Sequence, residues 1–268
     1  MRIRYLVATP ILSLAAIVAL TGPVVATPQE AKSVVRVLNY NIQAGRGAGE
    51  DPNVDPPNIP RTAAAIREHD PDIVTLQEVH QPDTSGADQV AQLAAELDMN
   101  AYFGPADGNG SGGQAGNAIL TKLPIVERVN RRLPDDPDTN NVKRALAGAK
   151  LDLGGGAFIR VFTTHLSPGL SDAVVAEREA QGRWALDYLS HSGPLLFTGD
   201  FNERPENRIH AWALADGFAD TGGEVAPDPT HGDARIDFVY ARGVTATAGL
   251  VPDTDASDHR PVVIDLEV

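Results

Sequence analysis

Leu195-Leu196-Phe197-Thr198-Gly199-Asp200-Phe201-Asn202 is an apolar run that ends in a glycine, a carboxylate and a carboxamide. It reads as a buried strand of an α/β protein that delivers Asp200 and Asn202 at its tip. Side chains two apart on an extended segment point to the same side, so the two polar groups are placed to address one bound atom. Polar strand ends are where α/β proteins build ligand sites. The other reading is an Asp-Asn turn that merely closes the strand, because both residues favour turns.

Four more stretches repeat the design: Asn39-Tyr40-Asn41, Leu76-Gln77-Glu78, Thr163-Thr164-His165 and Ser257-Asp258-His259. A further acid, Asp237, sits inside the apolar run Ile236-Asp237-Phe238-Val239. A charged group in such a run is costly unless it is paired or bound to a cation. Taken together, these stretches describe a polar site assembled from strand ends.

Between them the pattern alternates short strands with a few helices. Strands are expected over 34–41, 73–76, 118–120, 125–129, 145–153, 158–164, 195–198, 236–240, 244–250 and 262–266. Helices are expected over 61–69, with Pro60 at the start and Asp70-Pro71 as the stop, and over 88–98, 173–190 and 207–215. Val90, Leu93, Ala94 and Leu97 mark one face of the second helix. Gly104 to Gly113 reads as a glycine-rich mobile loop. Many strands and few helices point to two sheets packed together with helices outside.

Arg2 and Arg4 precede a mostly apolar stretch from Leu6 to Leu20, and Val24 and Ala26 offer small residues for cleavage. This reads as a cleaved signal peptide over 1–26 and a secreted protein; an uncleaved anchor is the alternative. Residues 27–33 follow as a disordered lead-in, and 34–268 form one domain. The chain of 268 residues has no cysteine, so free-thiol chemistry and disulfides are excluded. Its formal charge is −14, and removing residues 1–26 leaves 20 basic and 36 acidic side chains, or −16. Nonspecific nucleic-acid binding needs Lys and Arg against phosphates. No basic run exists here, which argues against a stable nucleic-acid complex.

The ordered set of strand-end motifs resembles the endonuclease/exonuclease/phosphatase superfamily, which includes DNase I-like nucleases, inositol polyphosphate phosphatases and neutral sphingomyelinases. The resemblance spans nearly all of residues 34–268. It implies an α/β fold, the DNase I-like four-layer α/β sandwich: two mixed β-sheets face to face, with helices on the outer sides. It also implies a hydrolase of phosphate esters that uses Mg²⁺, with Mn²⁺ as a substitute. Glu78 matches the principal metal carboxylate, Asn41 its amide partner, and Asp258 a further oxygen. Such a ligand set suits a hard cation that keeps several waters. His259 matches the catalytic histidine and Asp237 the carboxylate that holds its imidazole. Asp200 corresponds to the group that orients or deprotonates water, Asn202 to a phosphoryl contact, and His165 to the second histidine. Asn117 and Arg144 match positions beside the substrate phosphate, where arginine's fork suits phosphate oxygens.

Whether Asp200 or the His259–Asp237 pair is the base stays open at this level. So does the substrate: a small phosphodiester, a DNase I-like target, or a sphingomyelin or inositol-phosphate headgroup. A non-catalytic binding protein on the same fold would have lost Glu78, His165, Asp200 or His259, and all four are present. Arg46, Arg131, Arg132, Lys143 and Arg144 are the basic candidates for a nucleic-acid groove. His69, His80, His191 and His210 read as packed or surface residues, and His231 is assigned no role. Trp184 and Trp212 fall on expected helices and read as core. Nothing in the pattern demands a second copy, so a monomer is expected.

Overall fold

The computed structural model describes residues 34–268 apart from 52–53, 84, 109, 111, 140–141 and 191–192. The expected signal over 1–26, the lead-in over 27–33 and His191 lie outside them. Twelve strands form two six-stranded mixed sheets. The first sheet has the order β11 (Thr245–Leu250), β12 (Val262–Glu267), β1 (Val34–Asn41), β2 (Ile73–Gln81), β4 (Gln114–Thr121), β3 (Asn100–Gly108). The second runs β5 (Ile125–Arg132), β6 (Ala145–Gly154), β7 (Ala157–His165), β8 (Leu195–Asp200), β10 (Asp237–Arg242), β9 (Ala219–Asp220). β1 pairs parallel with β2, and β7 with β8. Among the described residues no helix is long and apolar enough to cross a membrane.

Period-2 alternation builds the layers. On β1, Val35 and Val37 join Ile73, Ile119, Val161, Leu196 and Val239 in the core between the sheets. Leu38 and Tyr40 face the other way, into a core with Ile59 and Ile66 of α1 (Ile59–Arg67) and Val90 and Leu93 of α2 (Gln89–Leu97). On the far side, Phe197, Phe238 and Tyr240 pack with Leu186 of α3 (Asp172–Tyr188) and Ile209 of α4 (Arg208–Ala215). Three apolar layers thus join four layers of structure, as the sequence leads one to expect. Side chains at Asn58, Asp88 and Ser171 each accept a hydrogen bond from a backbone N–H in the first turn of α1, α2 and α3, which satisfies a donor the helix leaves free. Trp184 and Trp212 pack against the core of the second sheet.

The inter-sheet stripe of each central strand turns polar toward one end, and this places the site. Following the same parity, β1 continues to Asn39 and Asn41, β8 from Leu196 to Thr198 and Asp200, and β7 from Val161 to Thr163 and His165. Just below the site the polar side chains lock the sheets together. Asn39 Oδ1 accepts from Thr75 Oγ1 at 3.0 Å and Gln77 Nε2 at 2.9 Å. Gln77 also donates to Thr163 Oγ1 across the interface at 2.9 Å, and Thr198 Oγ1 donates to Thr75 Oγ1 at 2.9 Å. Asn39, Gln77 and Thr163 are therefore structural members of their motifs. Buried polar groups that are paired in this way specify a single packing.

Two departures from the sequence reading have clear causes. The expected loop from Gly104 begins instead inside β3, because Gly104 is there for closeness rather than for flexibility. A Cβ at Gly104 would lie 2.4 Å from the Ala147 Cβ on the facing sheet. Short β9 and α5 (Thr221–Val225) also went unread; Asp220 caps the latter by accepting from Gly223 N at 2.9 Å.

Gly199 is needed for both conformation and space. Its φ is +147°, and an added Cβ would lie 2.1 Å from the Thr164 carbonyl oxygen on β7. Gly199→Ala is expected to cost about 2–3 kcal/mol of stability by forcing β7 and β8 apart. Urea denaturation checks this, and an unchanged midpoint would refute the close-packing argument.

Candidate active site

Strand ends from both sheets converge on one cavity of about 700 Å³, lined among others by Glu78, Asn117, Arg144, His165, Asp200, Asn202 and His259. Asp200 is its hub, with 1% of its surface exposed. Its Oδ2 accepts from Asn41 Nδ2 at 3.0 Å and lies 3.5 Å from His165 Nε2 and 3.7 Å from His259 Nε2. His259 Nδ1 is 2.8 Å from Asp237 Oδ2, and Asp237 is the register partner of Asp200 on the adjoining strand.

Glu78 reaches the cavity through a bulge. Leu76 pairs with Ala118 and Val79 with Gly116, so Gln77 and Glu78 together face Asn117. Strict alternation would turn Glu78 outward with Leu76. The extra residue, with Glu78 at φ +57°, re-aims the carboxylate. A left-handed backbone at such a residue costs about 1–3 kcal/mol and marks functional sites. Glu78 Oε1 then accepts from Asn41 Nδ2 at 3.2 Å and lies 3.9 Å from His165 Nδ1.

Asp200 and Asn202 do not share one side of an extended segment. The chain turns left-handed at Asn202, with φ +50°, and the Asp200 carboxylate accepts from the Asn202 N–H at 2.9 Å. Asn202 Nδ2 donates to the Leu166 carbonyl at 3.0 Å. The motif is thus an Asx turn, and both residues still line the cavity.

Asn117 and Arg144 are buried, not solvent-facing. Asn117 Nδ2 donates to the Ala145 carbonyl at 2.9 Å. Arg144 lines the cavity with its buried Nε lacking any partner. Burial lowers its pKa, while the charges of Glu78 and Asp200 oppose that shift. A buried guanidinium with an unused donor is prepared for an anion.

Asp258 pairs with neighbours of its own. Its carboxylate lies 3.8 Å from His231 Nε2 and accepts from Ser257 Oγ at 3.3 Å. His231 lines the cavity, its ring centroid 4.5 Å from that of His259. His80 lines the cavity as well. Neither was identified from sequence, and only the Thr230-His231 turn before Asp237 hinted at one of them. Of the basic candidates, Lys143 and Arg144 line the cavity, whereas Arg46, Arg131 and Arg132 do not. His210 is packed as expected, 3.1 Å from the Tyr240 hydroxyl.

Electrostatics separates the roles. Burial opposes a charge on His259, but Asp237 and then Asp200 and Asp258 outweigh it and push the imidazole up to about 10. Burial keeps His165 well below the ordinary histidine value, reinforced by Arg144 and His259. Burial, then the neighbouring Asp237 charge, pushes Asp200 up to about 7. Folded Asp200 therefore holds its proton more tightly than the unfolded chain does. Its contribution to stability is complete below pH 4 and is lost as pH rises toward 7. In chelator, Asp200→Asn is expected to flatten the fall in Tm over that window; a parallel pH profile would contradict the burial argument.

The donor set suits a hard cation. Glu78 and Asp200 offer carboxylate oxygens beside an open cavity, both within hydrogen-bond distance of Asn41 Nδ2, while Asn41 Oδ1 accepts from the Gln43 N–H at 3.1 Å. The Asn41 NH₂ lies between the two carboxylates, where a positive charge belongs. Two other groups bring three His or Asp ligand atoms together, Asp200–Asp237–His259 and His231–Asp258–His259. In the first, Asp237 and His259 already satisfy each other.

Comparisons with known proteins agree with this geometry. The sequence profile of the Endonuclease/Exonuclease/phosphatase family matches residues 38–259. The crystal structure of an endonuclease/exonuclease/phosphatase from Beutenbergia cavernae is 30% identical, with a TM-score of 0.79 over 88% of this chain and 72% of that one. The human Nocturnin catalytic domain, solved with sulfate, shares the fold at 21% identity, with a TM-score of 0.69 over 87% of this chain and 94% of that one. Among curated proteins, a UPF0294 protein of Vibrio parahaemolyticus is 34% identical over 119 residues, which span 42% of this chain and 41% of that protein. The chain thus spans about two-fifths of the length of that relative. A profile match from β1 to His259, on a sandwich of two six-stranded sheets, settles the family. The chain belongs to the endonuclease/exonuclease/phosphatase family.

Proposed function

We propose that the cavity hydrolyses phosphodiesters with a divalent cation, Mg²⁺ or in its place Mn²⁺. The observation that carries this reading is the convergence of Glu78, Asn41 and Asp200 on one side and Asp237–His259 on the other, in a cavity that also contains a buried arginine. Glu78 and Asn41 would hold the cation, with Asp258 as a further oxygen. When bound, the cation neutralises phosphate charge and stabilises the oxygens that gain charge during displacement.

The protein groups do the rest. Arg144 binds the phosphate, with Asn202 and Asn117 beside it. Asp200 accepts the proton of the attacking water, because a carboxylate raised toward neutrality is a competent base. His259 is held protonated by Asp237 and donates from Nε2 to the phosphoryl oxygens as charge builds there. Neutral His165 supports the same oxygens from the opposite side. This assignment makes Asp200, rather than the His259–Asp237 pair, the base.

The site is complete in one chain, which fits a monomer, and the net charge of −14 fits transient rather than stable contact with nucleic acid. The export signal expected over residues 1–26 fits an activity outside the cytoplasm. Incubating the protein with Mg²⁺ and bis-p-nitrophenyl phosphate, plasmid DNA, sphingomyelin or an inositol phosphate tests the class and selects the substrate. Cleavage of at least one is expected. Cleavage of none, with Mg²⁺ or Mn²⁺, would overturn the reading.

A further inference from the structure

We infer that the β3–β4 hairpin is a fixed selectivity wall, and that the substrate is a monomeric phosphodiester whose second group is compact and weakly polar. This rests on the phosphoester reading above. The phosphate-handling residues make up part of the lining of a cavity of about 700 Å³. One phosphate fills little of that space, and cavities of roughly 300–1,000 Å³ enclose whole small molecules. The remaining wall includes Ala106, Ala115 and Gly116 from the hairpin together with Val142 and Ile236, and His80 and Lys143 are among its polar members. The room exists because no side chain at those hairpin positions extends beyond a methyl group.

The wall cannot retreat easily. Three groups of the second sheet and its 133–144 connection tie down three consecutive residues of β3. Asn130 Nδ2 donates to the Pro105 carbonyl at 2.7 Å, Arg132 Nη1 to the Ala106 carbonyl at 3.0 Å, and the Lys143 N–H to Asp107 Oδ2 at 2.9 Å. The one carboxylate on this stretch, Asp107, is thereby engaged, and it also accepts from the Gly108 N–H at 2.8 Å. A wall of small apolar residues with its acid already paired suits an aryl or short alkyl group.

Methyl, phenyl and 1-naphthyl p-nitrophenyl phosphate share one leaving group and differ only in the group that would meet the wall. With Mg²⁺, kcat/KM is expected to rise by about tenfold or more from methyl to the aryl esters. Ala115→Leu should cut the aryl values by about tenfold or more, mainly through KM, and leave the methyl ester within about twofold. Ala106→Leu repeats the test from the neighbouring strand, and thermal melts identify a variant that has lost its fold. Equal cleavage across the series, or an equal loss on all esters in a folded variant, would overturn the selectivity wall alone. Cleavage of no ester would overturn the phosphoester reading and this inference with it.

Discussion

His259→Ala is expected to lower kcat by about 10³-fold or more while the chain still folds. The imidazole is 6% exposed, bonded through Nδ1 to Asp237 and aimed through Nε2 at the Asp200 side of the cavity. Its loss removes the only donor that Asp237 holds in a charged state. It also leaves Asp237, whose Oδ1 already lacks a partner, as an unpaired buried acid, so stability falls by about 1–3 kcal/mol. Asp237→Asn separates the two effects. It keeps the shape but lets the His259 pKa fall from about 10 toward its ordinary value. The kcat–pH profile should then lose its alkaline side, because protonated His259 becomes scarce above neutrality. His69→Ala, at the surface, is expected to keep full activity. Full activity in His259→Ala would refute the site assignment.

Glu78→Gln is expected to abolish activation by Mg²⁺ and to cost about 10³-fold in rate, since a bound cation supplies several kcal/mol of transition-state stabilisation. The bulge that aims Glu78 has no other evident use, and the Asn41 amide stands between Glu78 and Asp200 in place of a cation. Asn41→Ala should be milder, weakening metal affinity by about 10–100-fold. Calorimetric titration with Mn²⁺ reads affinity apart from turnover. Unchanged Mn²⁺ binding in Glu78→Gln would move the cation elsewhere, and the His231–Asp258–His259 group would be the next place to look.

Much of this was legible before the structure, and the reason is periodicity. Residues 35, 37, 39 and 41 share one face of β1, so a switch from valine to asparagine along that face announces where the inter-sheet core gives way to the site. The same holds for 161, 163 and 165, and for 196, 198 and 200. Seven of the ten expected site residues, Asn41, Glu78, His165, Asp200, Asn202, Asp237 and His259, are joined through the Asp200 hub. What escaped had no periodic signal. A bulge is one inserted residue, visible only against its partner strand. Gly104 serves close packing, yet a glycine in isolation looks the same as one in a loop. His80 and His231 reach the cavity through the third dimension alone, and the approach of Asp258 to His231 has the same source.

The most direct test of the account is hydrolysis of bis-p-nitrophenyl phosphate in ¹⁸O-labelled water, with the phosphate product weighed by mass spectrometry. One ¹⁸O atom is expected in the phosphate monoester, formed with Mg²⁺, lost in chelator, and absent in His259→Ala. Release of p-nitrophenol that persists in chelator and in His259→Ala, or label on the phenol oxygen instead of the phosphate, would contradict it.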